Sequence, residues 1–124
     1  MGCPFCEMPR LRILRENSSG FLIYDGYPVT ELHSLIIPKR HVADIWDLTE
    51  PETADCLELL RQQKDIIKTQ DGSVQGFNVG VNVGEVAGQT VFHAHIHLIP
   101  RRIGDVDEPQ GGVRGVIPSK RKYL

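Results

Sequence analysis

The pattern of apolar and polar residues along the chain predicts a small antiparallel sheet. Alternating positions predict strands over residues 10–16 and 76–84. A turn cluster at residues 17–20 precedes a second predicted strand over residues 21–25, so the first two strands are expected to form a hairpin. The continuous apolar run over residues 34–37 is typical of a central strand that is covered on both faces.

One long helix is predicted between Thr49 and about Gln70. Thr49 and Glu52 have the spacing of a capping box, and Pro51 lies in the first turn, where its missing N–H does no harm. Asp71 and the glycine after it are expected to end the helix. The expected apolar stripe consists of Cys56, Leu57, Leu60, Ile66 and Ile67.

In residues 93–99, histidine and apolar residues alternate strictly. Such alternation predicts a strand with its apolar side chains toward the core and its histidines in one row on the other face, about 6.5 to 7 Å apart. The two sets are Ala94, Ile96 and Leu98, and His93, His95 and His97. Protonation of one ring discourages protonation of the next, so the row favours neutral imidazoles. Neutral imidazoles suit either a nucleophile or a zinc ligand, and the spacing alone does not separate the two.

Length and composition indicate one domain, residues 1–124, of a cytoplasmic protein. The chain carries 14 Lys and Arg against 16 Asp and Glu, a net charge of −2, so no nucleic-acid or membrane partner is expected. No apolar run approaches the roughly 18 residues that a membrane span needs. The first six residues lack the apolar core of a signal peptide.

Two of the three cysteines form a C-x-x-C motif at the N-terminus. In a reducing compartment, Cys3 and Cys6 indicate metal or redox chemistry before a structural disulfide. They supply half of the four ligands that a structural zinc ion needs. Cys56 is expected to be a small buried residue of the long helix.

Taken together, the elements predict an α+β domain: a mostly antiparallel five-stranded sheet, one long helix on one face and a short helical connection at residues 42–47. The stretch Gly88–Ile99 resembles the active-site signature of the histidine triad (HIT) family of nucleotide hydrolases and transferases. The resemblance is compatible with this fold and implies a homodimer. Residues 84–90 and 99–105 resemble the fragile-histidine-triad branch, which hydrolyses dinucleoside polyphosphates such as diadenosine tetraphosphate.

The same resemblance implies roles for individual residues. His95 would attack the α-phosphorus of a nucleotide, and water would then release the mononucleotide from the histidine. His93 could orient His95 or donate to phosphate oxygens. Gln89 and His97 would contact the phosphate and the leaving-group oxygen, and Asn82 would line the same pocket. Asp25 would bind the ribose, and His33 matches a further active-site histidine of the family. Independently of the resemblance, Gln89 and Thr90 lie just before the strand, where their side-chain and backbone donors could hold the α-phosphate. Asn82 stands where that branch often has Gln, which leaves the substrate and the leaving group open.

Resemblance also implies a structural zinc ion. Some HIT proteins carry the same C-x-x-C and complete the site with histidines that match His41 and His93. Residues 1–8 would then form a zinc-binding N-terminus. Residues 104–124 are expected to form an irregular tail. In this tail, Arg114 could contact a polyphosphate or a second subunit, or it could be solvated. Two other functions stay open: a purine nucleoside phosphoramidase that uses the same residues, and a non-enzymatic nucleotide-binding module.

Overall fold

The computed structural model describes residues 2–123 and contains one five-stranded sheet, with every strand pair antiparallel. The order across the sheet is β1-β2-β3-β5-β4, so β3 is the central strand, as its apolar run predicts. The elements are β1 Arg15–Glu16, β2 Gly20–Tyr24, β3 Ser34–Pro38, α1 Glu50–Gln70, β4 Val74–Gly80 and β5 Ile96–Arg102. A short 3₁₀ turn, Ile45–Asp47, lies in the predicted connection between β3 and α1. The α+β architecture is confirmed.

The ends of α1 follow the predicted capping signals. The Thr49 hydroxyl accepts the backbone N–H of Glu52, and the Glu52 carboxylate accepts the N–H of Thr49, so the capping box is complete. The helix ends at Asp71, whose N–H still bonds back to the carbonyl of Ile67. Within residues 2–123, no helix is both long and apolar enough to cross a membrane.

The buried face of α1 differs in part from the predicted stripe. Leu57 and Ile66, which the predicted stripe includes, are 42% and 41% exposed and do not pack on the sheet. The helical repeat of 3.6 residues turns both away from the sheet, because the residues that pack on it recur at intervals of three and four. The buried set is Cys56, Leu59, Gln63 and Ile67, with Leu60 packed at its margin.

Apolar clusters cover both faces of the sheet, which explains the uninterrupted apolar run of β3. On the helix side, Leu22 and Ile36 pack with residues of α1, β4 and β5. On the opposite side lie Phe21, Ile23, Leu35 and Ile37, against which Phe5, Met8 and Ile13 of the N-terminal segment pack. The N-terminal segment therefore lies on the face opposite α1.

Three predicted strand boundaries are wrong. Residues 10–12 form a 3₁₀ turn whose Leu11 is fully exposed, so the alternation there has no core face, and only β1 pairs with the sheet. β4 ends at Gly80, before a loop in which Gly84 has a φ of 93°. The histidine strand begins only at Ile96, because the backbone N–H of Ala94 bonds to the carbonyl of Val42 outside the sheet.

Candidate active site and metal centre

The histidines of residues 93–97 lie where the chain enters β5, and they do not form the predicted row. Ile96 and Leu98 pack on the helix side of the sheet, so His97 faces the opposite side, where it is paired with Leu35 of β3. His93, which precedes the strand, is completely buried beside His41. The alternation correctly predicts that the apolar residues Ala94, Ile96 and Leu98 are buried. It does not predict that His93 lies with His41 while His95 lies with His97.

His95 is held in one tautomer by the backbone. Its Nδ1 lies 2.9 Å from the carbonyl oxygen of His93. Because a carbonyl oxygen only accepts, Nδ1 carries the proton and Nε2 presents a lone pair. The rings of Phe5 and His97 flank the imidazole, with centroids 5.0 and 5.3 Å away. This arrangement leaves a half-buried imidazole of fixed orientation with a free lone pair on Nε2, which is what a nucleophile requires.

A second chain of hydrogen bonds fixes the tautomer of His97. The backbone N–H of Val29 donates to Nδ1 of His33 over 3.1 Å, so the His33 proton lies on Nε2. That Nε2–H donates to Nδ1 of His97 over 2.9 Å. The remaining proton of a neutral His97 is therefore on its own Nε2. The neighbouring rings of His95 and His97 thus present one lone pair and one N–H.

Burial favours the neutral form of the His33 and His97 rings. It lowers the pKa of His97 to about 4, and the nearby rings of His95 and His33 act in the same direction. Burial also lowers the pKa of His33, although the carboxylate of Asp25 opposes the effect. At neutral pH the donor and acceptor pattern of the pair is therefore the one that the hydrogen bonds require.

Asp25 lies beside this pair at the end of β2. Its Oδ1 accepts the backbone N–H of Tyr27 over 2.8 Å, which is the turn contact that its position before Gly26 suggests. Its Oδ2 lies 3.5 Å from Nε2 of His33. The structure therefore brings Asp25, His33 and His97 together, and the contact of Asp25 with a ribose stays a prediction.

Gln89 joins two loops. The residue is 3% exposed; its Oε1 accepts the N–H of Gly84, and its Nε2 donates to the carbonyls of Ala43 and Val91. These bonds tie the loop before β5 to the segment after β3, so Gln89 supports the site through the backbone. The phosphate contact expected of Gln89 stays a prediction, as do those of the exposed Thr90 and the half-buried Asn82.

Four side chains from distant parts of the chain converge beside His95. The ligand atoms of Cys3, Cys6, His41 and His93 all lie within 4.8 Å of one another. Cys3 Sγ is 3.3 Å and Cys6 Sγ is 3.5 Å from Nδ1 of His93, and the Nδ1 atoms of His41 and His93 are 3.2 Å apart. These four residues are the complete set implied by the resemblance.

The donor atoms of this cluster fit zinc. Nε2 of His93 lies 2.7 Å from the carbonyl oxygen of Pro38, so Nε2 carries the proton and the Nδ1 lone pair faces the thiols. Burial lowers the pKa of His93, which favours the neutral ring that a metal ligand requires. Two thiols and two imidazoles around one point are a donor set that could hold a structural zinc ion, and the Pro38 carbonyl orients one of them.

Several contacts of the site have no counterpart in the sequence predictions. Phe5 lies between the two cysteines, and its ring meets both His93 and His95. The only signal in the sequence is its place inside the C-x-x-C motif. Arg114 bonds to the carbonyls of Lys120 and Arg121 and lies over the ring of Tyr123, so its recorded contacts are within the tail itself.

Comparison with known proteins shows which family the chain resembles. The HIT domain family model matches residues 7–104. The chain is 32% identical to adenosine 5'-monophosphoramidase HNT1 of Candida albicans, over 81% of this chain and 70% of that protein. It is 31% identical to the AP-4-A phosphorylase of Mycobacterium tuberculosis, over 84% of this chain and 56% of that protein.

The solved structures extend the match to the fold. One similar structure is a zinc-bound histidine triad family protein from Mycobacterium smegmatis. It superposes with a TM-score of 0.71 at 36% identity, over 85% of this chain and 78% of that chain.

Proposed function

Because the chain belongs to the histidine triad family, whose domain model matches most of its length, we propose that it cleaves dinucleoside polyphosphates at the α-phosphorus through a covalent nucleotidyl-histidine. The observation that carries the proposal is the pairing of two neighbouring rings. His95 offers a lone pair on Nε2, and His97 offers a proton on Nε2 beside it. Nucleotidyl transfer uses both groups, one to attack phosphorus and one to donate a hydrogen bond to the departing oxygen.

In the first step, Nε2 of His95 forms a bond to the α-phosphorus, in line with the bond to the bridging oxygen that breaks. The departing oxygen takes the electron pair of that bond and accepts a hydrogen bond from Nε2–H of His97, which stabilises its negative charge. In the second step, a water oxygen bonds to the phosphorus as the phosphorus–nitrogen bond breaks. His95 regains the lone pair on Nε2, the mononucleotide is released, and the proton of the water passes to the solvent. His33, which donates to the other nitrogen of His97, holds that ring in the donating tautomer throughout. Asp25 accepts the ribose hydroxyls.

A second candidate is hydrolysis of a nucleoside phosphoramidate, in which the bond that breaks is between phosphorus and an amine. Its support is the 32% identity to a monophosphoramidase, next to the similar identity to an AP-4-A phosphorylase. The chemistry at His95 is the same for both, so only the leaving group separates the candidates.

A comparison of substrates tests the proposal. Initial rates with diadenosine tetraphosphate and with adenosine 5'-phosphoramidate are measured for the wild type, His95→Asn and the exposed control Lys68→Ala. We expect the wild type and the control to have the higher kcat/KM for the polyphosphate, and His95→Asn to bind it without turnover. A preference for the phosphoramidate would support the second candidate. Nucleotide binding with no turnover by the wild type would instead indicate a binding module.

We also infer that Cys3, Cys6, His41 and His93 hold a structural zinc ion. The support is the compact Cys₂His₂ set, oriented by the Pro38 carbonyl, and the likeness to a zinc-bound protein of the family. With its four positions filled by protein ligands, such an ion stabilises the fold and supplies no open position for a substrate. Zinc-binding thiols persist in a reducing compartment, which supports a cytoplasmic location.

A homodimer is proposed from one exposed surface. β4 forms an edge of the sheet, and edge strands offer unpaired backbone groups to a partner. Val79 of β4, Leu57 of α1 and Trp46 are 47%, 42% and 75% exposed and line a groove of about 410 Å³. A two-fold axis beside β4 would extend the sheet and cover these apolar side chains in both copies.

A further inference from the structure

The N-terminal metal site and the proposed nucleophile are in direct contact. Phe5 lies between the two cysteines, in a turn in which the backbone N–H of Glu7 bonds to the carbonyl of Cys3. The N–H of Cys6 donates to Sγ of Cys3, so the turn is built around the sulfur atoms. This turn presents the half-buried Phe5 ring to the imidazole of His95.

Two separate contacts connect the four-ligand cluster to His95. The Phe5 ring meets the His95 ring at a centroid distance of 5.0 Å and an interplanar angle of 72°, with an edge-on geometry. In addition, the backbone carbonyl of His93 accepts the Nδ1 proton of His95. The first contact limits rotation of the ring, and the second sets its tautomer. Both depend on residues whose positions the cluster fixes.

We propose that Phe5 is a positioning residue that holds the His95 ring in its attacking orientation, and that metal binding by Cys3 and Cys6 holds Phe5 in place. The proposal rests on the proposed function in so far as His95 is the nucleophile. The remaining contacts of Phe5 explain why the metal is needed. Within residues 2–123, Phe5 has ring contacts with His93 and His95, and its apolar packing is at the margin of the cluster formed by Phe21, Ile23, Leu35 and Ile37. A side chain that packs at the margin of an apolar cluster can move unless its backbone is held. Metal binding by the two cysteines that flank Phe5 would hold that backbone in place.

The test compares Phe5→Ala and Phe5→Leu with the wild type. Met8→Ala is the matched control, because Met8 packs on the same apolar cluster from the same segment, whereas the rings that flank His95 are those of Phe5 and His97. Three quantities are measured for each protein: the zinc-to-protein ratio, the ring-nitrogen NMR signals of His95, and kcat and KM with diadenosine tetraphosphate. The His95 signals are assigned by their loss in His95→Asn.

We expect Phe5→Ala to keep its zinc, to show His95 ring signals averaged over more than one orientation, and to lose about 10- to 100-fold in kcat with little change in KM. Phe5→Leu should recover part of the loss, and Met8→Ala should match the wild type. Chelation of zinc from the wild type should also average the His95 ring signals over more than one orientation. The ring signals need no substrate, so they test the role of Phe5 even if the protein turns over no nucleotide.

Three results would overturn the proposal. One is a wild-type His95 spectrum in Phe5→Ala. Another is a wild-type His95 spectrum after complete removal of zinc. The third is a rise in KM with kcat unchanged, because this would place Phe5 against the substrate instead of the His95 ring.

Discussion

From the hydrogen-bonded pair of His33 and His97, we expect the protein to lose part of its folding stability on mild acidification. An unfolded histidine has a pKa near 6.5, whereas burial lowers the pKa of His97 to about 4 in the folded protein. Between these values the unfolded chain binds more protons than the folded one. The contribution of His97 is therefore fully present above pH 6.5 and is lost as the pH falls toward 4.

The size of the loss follows from the two pKa values. Between about pH 7.5 and about pH 5, the linkage relation gives a maximum near 2 kcal/mol for His97. His97 is only half-buried, so solvent screening reduces this figure, and we expect about 1 to 2 kcal/mol. The carboxylates with lowered pKa, such as Asp71 and Glu52, lose their contributions mainly below this interval, because their pKa is about 2 when folded.

The assay is urea denaturation at several pH values in that interval for the wild type and His97→Asn. Asparagine keeps an acceptor for Nε2–H of His33 but does not titrate. Protonation of the other histidines and of the thiol–imidazole cluster is common to both proteins, so it cancels in the difference. The wild type should lose about 1 to 2 kcal/mol more than His97→Asn. Parallel stability profiles would refute the assignment of a neutral, desolvated His97.

Three further predictions concern other parts of the molecule. Cys6→Ser removes one of four ligands, and we expect metal analysis of the purified protein to fall from about one zinc per chain to well below one; full occupancy would contradict the proposed ligand set. Thr49→Ala removes the helix cap and should lower the free energy of unfolding by about 1 kcal/mol in urea titrations, and an unchanged value would mean that the capping box adds nothing. Val79→Arg places a charge on the exposed edge strand, so we expect sedimentation analysis to show a dimer for the wild type and a monomer for the variant; the same profile for both would contradict an interface at β4.

Much of the fold is predictable because its signals are local. The capping box of Thr49 and the continuous apolar run of β3 each depend on residues close in sequence, and both predictions are confirmed. The errors in the strand bounds occur where apolar and polar residues alternate but the backbone does not pair with a neighbouring strand. Residues 10–12 alternate but have no partner strand, and the chain at residues 93–95 bonds to the segment after β3 before it enters the sheet.

The residue types of the candidate site are predictable from the sequence, but the hydrogen bonds and ring contacts between them are not. The resemblance implied both the metal ligands and the histidines, and the structure brings them together. The hydrogen bonds that set the tautomers come from backbone groups of Val29, Pro38 and His93, which no side-chain pattern reveals. The contact of Phe5 with His95 joins residues 90 positions apart in the chain, and it depends on how the N-terminal segment folds over the sheet.

The central claim is that His95 forms a covalent bond to the nucleotide. Its most direct test is rapid mixing with diadenosine tetraphosphate, followed by acid-free quenching and intact-protein mass spectrometry at successive times. We expect the wild type to gain the mass of one adenylyl group before product accumulates at a steady rate, and His95→Asn to show neither the gain nor the product. Product formation by His95→Asn at the wild-type rate, or an adduct located on another residue, would contradict the assignment of His95 as the nucleophile.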